Sequence, residues 1–362
     1  HWLWADQQTV AEVNQNFPRY SLYPDGGWIF ARDSGPSAAE FSFESGLWDG
    51  HGHSWLHKNS ITFGAWGERL LLTRHHVSYA DGRFQATYRT EAYNTFSPLG
   101  RNQDKDGPAG RGSHLHTARD LAWTTVVEAD NATAWTESVE RNRRRVLFVR
   151  PHVLLVEDHA KFSASEVAVQ SWNSLKPFSQ IDDRTSALIT PDGTMRISRL
   201  TGIQPRMTIT EDSVHRDSFN NLFLPVFRTA FSTAPKKEHY LATLITLSPK
   251  GEGTDQPRIH SEGLDGEYLE ITQGSRITRI SRSSAFHERL QSVETDGSFV
   301  FATYEGGNIL ESGSFDGSYL SIGTDRVEGS GFLAIVADPK GRPENRGYRS
   351  EGRAPVRPIP RI

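Results

Sequence analysis

RNRRRVLFVRPHVLLVEDH, residues 141–159, is the stretch that decides the fold class. Val146–Val149 and Val153–Val156 are apolar runs of strand length, and Arg150-Pro151-His152 separates them with turn chemistry. ALITPDGTMRIS, residues 187–198, repeats the arrangement with Pro191-Asp192-Gly193 at the turn. Working outward, Asp-Gly pairs also begin at Asp25, Asp49, Asp81, Asp106, Asp265, Asp296 and Asp316, mostly between alternating apolar and polar runs. Such pairs are the strongest short-range hairpin signal, because both turn residues tolerate positive φ. The chain therefore reads as all-β, a large antiparallel β-sandwich over residues 21–340. Loops around 179–185 and 250–256 can divide its sheets.

Helix is scarce. Only Trp4–Asn16 has a 3.6-residue pattern, with Val10 and Val13 on one side and Gln7, Gln8 and Glu12 on the other. Residues 1–20 are accordingly expected to be a short helical remnant or linker from a preceding helical domain. Arg101–Arg119 is poor in large apolar residues and rich in glycine and charge, which predicts an exposed loop. Residues 341–362, rich in Pro, Arg and Gly, are expected to form an irregular extension.

With 362 residues, 36% of them hydrophobic, the chain can bury a large core. A formal net charge of −4 argues against a field that recruits nucleic acid or anionic membrane. The absence of cysteine excludes a disulfide scaffold, Cys-ligated zinc and a thiol nucleophile, and leaves the compartment open. No apolar run is long enough to span a bilayer as a helix, and HWLWADQQTV lacks the pattern of a signal peptide. A start at His1 suggests a trimmed chain. The run Arg141, Arg143, Arg144, Arg145 is read as a solvated hairpin, with Arg141, Arg143 and Arg145 facing outward. Asn131-Ala132-Thr133 has the form of a glycosylation sequon.

The chemistry is expected between Asp49 and Asn94. That segment holds five of the fourteen histidines (His51, His53, His57, His75, His76), together with five basic residues and three tyrosines. Such a density of titratable and aromatic groups argues for a lined cleft. No phosphate loop, Gly-x-Ser-x-Gly elbow or His-Glu-x-x-His occurs.

The order of motifs resembles the β-sandwich of the heparinase II/III-like polysaccharide lyases over roughly the first half of the chain. These motifs are Tyr23-Pro24-Asp25-Gly26-Gly27, His51-Gly52-His53, Asn59-Ser60, the leucine strand from Gly67 to Thr73, and Tyr93-Asn94-Thr95. The resemblance implies a supersandwich, a helical (α/α) toroid upstream or on another chain, and β-elimination on a uronic-acid-containing acidic polysaccharide. It implies a periplasmic or extracellular setting. It also implies His51 as the catalytic or substrate-facing histidine, with Tyr79 or Tyr88 matching a tyrosine of the family. The family's structural zinc positions fall on His53, Thr73 and Tyr93. Thr and Tyr are poor ligands beside imidazole and carboxylate, so a zinc site here needs His57, His75 or His76 to join His53.

Eliminating a 4-linked uronate requires a base at C5, an acid at O4 and a mask for the carboxylate charge. Neutral histidine supplies a base, and tyrosine beside cations supplies an acid or base. The expected catalytic set is thus His51, Tyr79 and Tyr93. Arg74 and Arg89 are expected to pair with carboxylates or sulfates, and Trp55, Tyr88 and Asn94 to contact sugar. His53 and His75 are the expected metal ligands. Two alternatives share this chemistry in part: a non-catalytic module that binds anionic carbohydrate, and a uronyl C5-epimerase.

Overall fold

In the computed structural model the described residues are 18–34, 38–48, 55–73, 87–106, 111–135, 138–201, 206–217, 222–251, 256–337 and 343–344. Residues 1–17, where most of the helical remnant is expected, and 345–362, most of the expected extension, lie outside them.

The decisive stretch forms two long strands, Val139–Val149 and Val153–Glu166, paired antiparallel with Val149 opposite Val153. Thr185–Ile189 and Gly193–Arg199 form the second expected hairpin, closed by the Thr190 amide on the Gly193 carbonyl at 2.8 Å. All these strands belong to one nine-stranded antiparallel sheet. Its central strands are apolar on both faces for a physical reason: the sheet is a middle layer. Val146, Phe148, Leu154 and Val156 enter one core, while Leu147, Val149, Val153 and Leu155 enter another. A strand buried on both faces reads as a continuous apolar run instead of an alternation.

The first core is shared with a five-stranded sheet of β1 (Tyr20–Tyr23), β2 (Trp28–Arg32), β3 (Glu40–Glu44), β5 (Ser60–Ala65) and β6 (Glu68–Leu71). Phe41 and Phe63 meet Phe148 edge-on at 5.4 and 6.2 Å between ring centroids. β4 (Gly46–Leu47) leaves this sheet and pairs with Gly112–Ser113 at the edge of the nine-stranded one. The second core is shared with a seven-stranded sheet that includes Phe299–Glu305 and Asn308–Phe315. A third cluster, around Leu290, Val300 and Leu320, joins that sheet to a three-stranded one. A four-stranded sheet carries Phe96–Pro98 and Ala168–Ser174. Among the described residues no helix is long and apolar enough to cross a membrane.

Two expectations are corrected. The second half of Arg101–Arg119, read as loop, lies in a strand, Gly112–Asp120, paired with Thr124–Asp130. Its inward residues, such as Ala118, are too small to give an apolar signature. In the arginine run, Arg141 and Arg143 keep about a third of their side chains exposed, but Arg145 is not outward in solvent. Arg145 is buried against Glu128, Glu157 and Asp316, with its guanidinium 4.0 Å above the Phe315 ring, because the seven-stranded sheet covers that side. Arg144, on the opposite face, is sealed in a bidentate pair with Asp158 at 2.7 and 2.8 Å. Its Nη1 also donates to the carbonyls of Asn59 and Asn94.

Candidate functional site

Strand alternation sorts the five-stranded sheet into two faces. Ile29, Ala31, Phe41, Phe43, Ile61 and Phe63 point into the core. The intervening residues stand in rungs across the other face: Trp28 beside Glu44 beside Ser60, Phe30 beside Ser42 beside Thr62, and Arg32 beside Glu40. This outer face is the floor of a groove of about 580 Å³ that reaches Arg69 on one flank and Tyr23 on the other. Trp28 stacks on Phe30 at 6.0 Å and 12°, and Tyr23 meets Phe30 edge-on at 6.0 Å. The ledge is wet: Tyr23 is 57% exposed and Trp28 39%. The Ser42 and Thr62 hydroxyls lie 2.6 Å apart on the floor. Burial raises the Glu40 carboxyl above the ordinary carboxylate range, an effect opposed by Arg32 and Arg69.

The Pro24-Asp25-Gly26-Gly27 turn sets the ledge in place. Gly27 has φ +64°, and a Cβ there would stand 2.2 Å from the Ser45 backbone. Only glycine lets the turn press onto the β3–β4 junction, where Ser45 donates its amide to the Gly27 carbonyl at 2.8 Å.

At one end of the groove Glu44 accepts from His57 Nε2 in a short contact and from Lys58 Nζ at 3.1 Å. Burial alone would raise the Glu44 carboxyl, but the charges and hydrogen bonds of His57 and Lys58 outweigh it and hold it below its ordinary value. The turn carrying this pair is pinned from several sides. Asn59 sits at φ +63°, a region Asn tolerates, and accepts from Ser113 Oγ at 2.5 Å. Gln103 brackets Lys58, accepting from its amide at 2.9 Å and donating to its carbonyl at 3.0 Å, and Asn131 donates to the same carbonyl at 2.9 Å. Asn131 is thereby buried, so the sequon is committed to this turn. His57 lines the groove, and its Nδ1 is buried without a hydrogen-bond partner among the described residues.

Of the residues singled out from sequence, His51, His53, Arg74, His75 and Tyr79 lie outside the described residues. Tyr93 is fully buried, its ring 5.2 Å from that of His57. Asn94 is also fully buried. It donates to the Ile61 and Leu72 carbonyls at 2.6 and 3.2 Å and accepts from the Asn173 amide at 2.7 Å. The expected sugar contact by Asn94 is therefore corrected to a backbone clamp, since its amide is spent on main chain. Trp55 and Tyr88, half-buried and 6.5 Å apart, pack on a small cluster of Leu56, Ala92 and Tyr93. Arg89 is exposed at the head of the 3-10 turn Thr90–Ala92.

For zinc, the described donors do not fit. Thr73 lines the groove and Tyr93 lies beside His57, both with neutral oxygens where the family's motif has Asp and His. Among the described residues no three His, Asp or Glu side chains stand close enough to share an ion.

Sequence reasoning missed the ledge and the Glu44–His57 pair. The ledge was signalled by the alternation in WIFAR, residues 28–32, which puts Trp28, Phe30 and Arg32 on one face. The pair had no local signal, because Glu44 and His57 meet through the register of β3 with β5.

No protein-family profile and no curated protein matches this sequence. Among solved structures, a heparan sulfate lyase from Pedobacter heparinus is similar with a TM-score of 0.57 at 14% identity, covering 70% of this chain and 41% of that one. A heparinase III gene product gives 0.60 at 14% identity, covering 82% of this chain and 44% of that protein. A further heparinase III gives 0.54 at 12%, covering 80% and 41%. The chain thus spans under half the length of these proteins. At such identities the likeness is one of architecture: this chain has a heparinase-like, all-β sandwich fold.

Proposed function

We propose that the chain is the β-sandwich portion of a polysaccharide lyase that cleaves a uronic-acid-containing acidic polysaccharide by β-elimination. The observation that carries the reading is the groove, where an exposed Trp28–Phe30–Tyr23 ledge lies beside two arginines, Arg32 and Arg69. Aromatic faces hold sugar rings, and guanidinium groups pair with carboxylate or sulfate. The heparan sulfate lyase named among the similar structures supports the same substrate class. A helical toroid, upstream or on a second chain, completes the cleft in this reading, and the polymer is met in the periplasm or outside the cell. Zinc is not part of the reading.

The experiment is to incubate the chain, alone and with a helical partner domain, with alginate, heparan sulfate and hyaluronan, and to follow the ultraviolet absorbance of the unsaturated product. Absorbance that grows with time supports the lyase. Proton exchange at C5 without cleavage identifies a uronyl epimerase instead. Saccharide binding with neither reaction identifies a non-catalytic module, the reading favoured by the burial of Tyr93 and Asn94.

A further inference from the structure

Three features compete for a role beyond this reading. The polar cleft around His260, Glu270 and Arg279 has most of its charges paired internally: His260 with Glu262, Arg279 with Glu270, Arg289 with Glu262. Glu311 is fully buried and lines neither that cleft nor the groove. A charged rung on the groove floor differs from both, because its side chains are within reach of a ligand.

Backbone register lays Arg32, Glu40, Gly64 and Arg69 side by side on the neighbouring strands β2, β3, β5 and β6. With strands about 4.8 Å apart, the two arginines stand roughly 14 Å from each other and the carboxylate lies between them. Gly64 has no side chain, and Glu40 leans over it, on the side where Arg69 stands. A Cβ on Gly64 would meet Glu40 Cγ and Oε1, each at 3.5 Å. Glu40 and Arg69 are exposed and Arg32 is half-buried, so all three are open to a bound molecule. Arg32 and Arg69 favour the ionised form of Glu40 against the partial desolvation that opposes it.

We infer that Glu40 is a charge filter of the groove: set between Arg32 and Arg69, it admits a sugar whose acid groups are carboxylates and turns away one that carries sulfate. This rests on the groove being the sugar site. Among the described residues that line the groove, the charged ones are Arg32, Arg69, Glu40 and Glu44, two of each sign, and Glu44 is answered by Lys58 and His57. The rung therefore offers one positive charge in excess. A uronate carboxylate uses it, and a sulfate on the same or the next ring finds no second one on the floor. The hydrogen-bonding character of Glu40 decides in the same direction. An ionised carboxylate accepts hydrogen bonds and donates none, so it pairs with the hydroxyls of an unmodified sugar. A sulfate ester replaces such a hydroxyl with further acceptors and a negative charge, and like charges brought together across a binding face suppress the wrong ligand. In the next rung, the Ser42 and Thr62 hydroxyls, 2.6 Å apart, suit the same hydroxyl-rich ligand.

Calorimetric titration of the full chain, in mildly alkaline buffer, with size-matched oligosaccharides of alginate, hyaluronan and heparan sulfate tests the filter. The first two carry carboxylates alone, and the third carries sulfate as well. The wild type should bind an unsulfated probe about tenfold or more tighter than heparan sulfate. Glu40→Gln should raise the affinity for heparan sulfate by about five- to tenfold and change that for the unsulfated probe by less than about threefold. Glu40→Asp keeps the charge and should keep the wild-type preference. Heparan sulfate bound as tightly as the unsulfated probes by the wild type, a comparison that needs no variant to fold, overturns the filter while the groove stands. So does a preference unmoved in Glu40→Gln, or one lost equally in Glu40→Asp and Glu40→Gln. Failure of all three saccharides to bind strikes the groove itself, and the filter falls with it.

Discussion

Two buried ionic clusters lie close together in this molecule, and they are built to opposite ends. Around Arg144 every charged group is answered. Asp158 takes two bonds from the guanidinium and one from Gln170 at 2.7 Å, and Gln170 in turn accepts from Trp172 at 3.1 Å and Thr243 at 2.6 Å. Around Glu44 the carboxylate is likewise answered, by His57 and Lys58, but the imidazole keeps one nitrogen, Nδ1, buried without a hydrogen-bond partner among the described residues. A saturated buried network fixes a fold; a network with one buried nitrogen unanswered gives up part of that stabilisation.

Removing Asp158 should break the closed cluster with the largest effect. Asp158→Ala leaves Arg144 charged and buried without its counter-charge, left with the Asn59 and Asn94 carbonyls, and is expected to cost about 3–5 kcal/mol in denaturant unfolding. A cost below about 1 kcal/mol would show that the network is not a keystone.

Glu311 sharpens the comparison as a third buried ionisable group, one that lacks a paired cation. It accepts from the Trp123 amide at 2.9 Å and from Thr303 Oγ at 3.4 Å, with Thr124, Arg150 and Asp120 also facing it. Burial pushes its carboxyl up to about 7. In the folded protein Glu311 therefore holds its proton through a range, from the ordinary 4.5 to about 7, in which the unfolded chain has released it. The stability it contributes is full below that range and is lost as pH rises through it. Glu311→Gln should thus gain relative to wild type, by on the order of 2–3 kcal/mol, as pH is raised from about 5 to about 8. Thermal unfolding across that interval checks it, and a difference between the two proteins that does not vary with pH contradicts it. Glu44 has the opposite sign: its carboxyl is held low, so its contribution is present above the ordinary value and fades in more acid solution.

The smallest effect belongs to the Glu44–His57 cluster, which is incompletely hydrogen-bonded. His57→Gln keeps a bond to Glu44 and removes no fully satisfied partner, so its expected cost is about 1–2 kcal/mol. A loss equal to that of Asp158→Ala would place both clusters in the same structural class.

The sheet architecture was legible where turn chemistry is local. Arg150-Pro151-His152 and Asp192-Gly193 sit at the hairpin ends they announce. What the sequence hid is anything decided by a neighbouring layer. Arg145 looks like a surface residue until the seven-stranded sheet covers it, and Gly112–Asp120 looks like a loop because its strand carries small and polar side chains. For the site, the Tyr23–Gly27 turn and the Asn59-Ser60 pair were visible as motifs, and Tyr23 and Ser60 from them line the groove. His57 was in view only as one histidine among several, because its distinguishing partner is thirteen positions away across a strand pair.

The central claim is that the outer face of the five-stranded sheet holds an acidic sugar. Calorimetric titration of uronate oligosaccharides into the wild type and Trp28→Ala tests it most directly. The account predicts saturable heat in the wild type and affinity about tenfold weaker in the variant, a loss of roughly 1–2 kcal/mol from the ledge. No heat in the wild type, or the same affinity in Trp28→Ala, would contradict it.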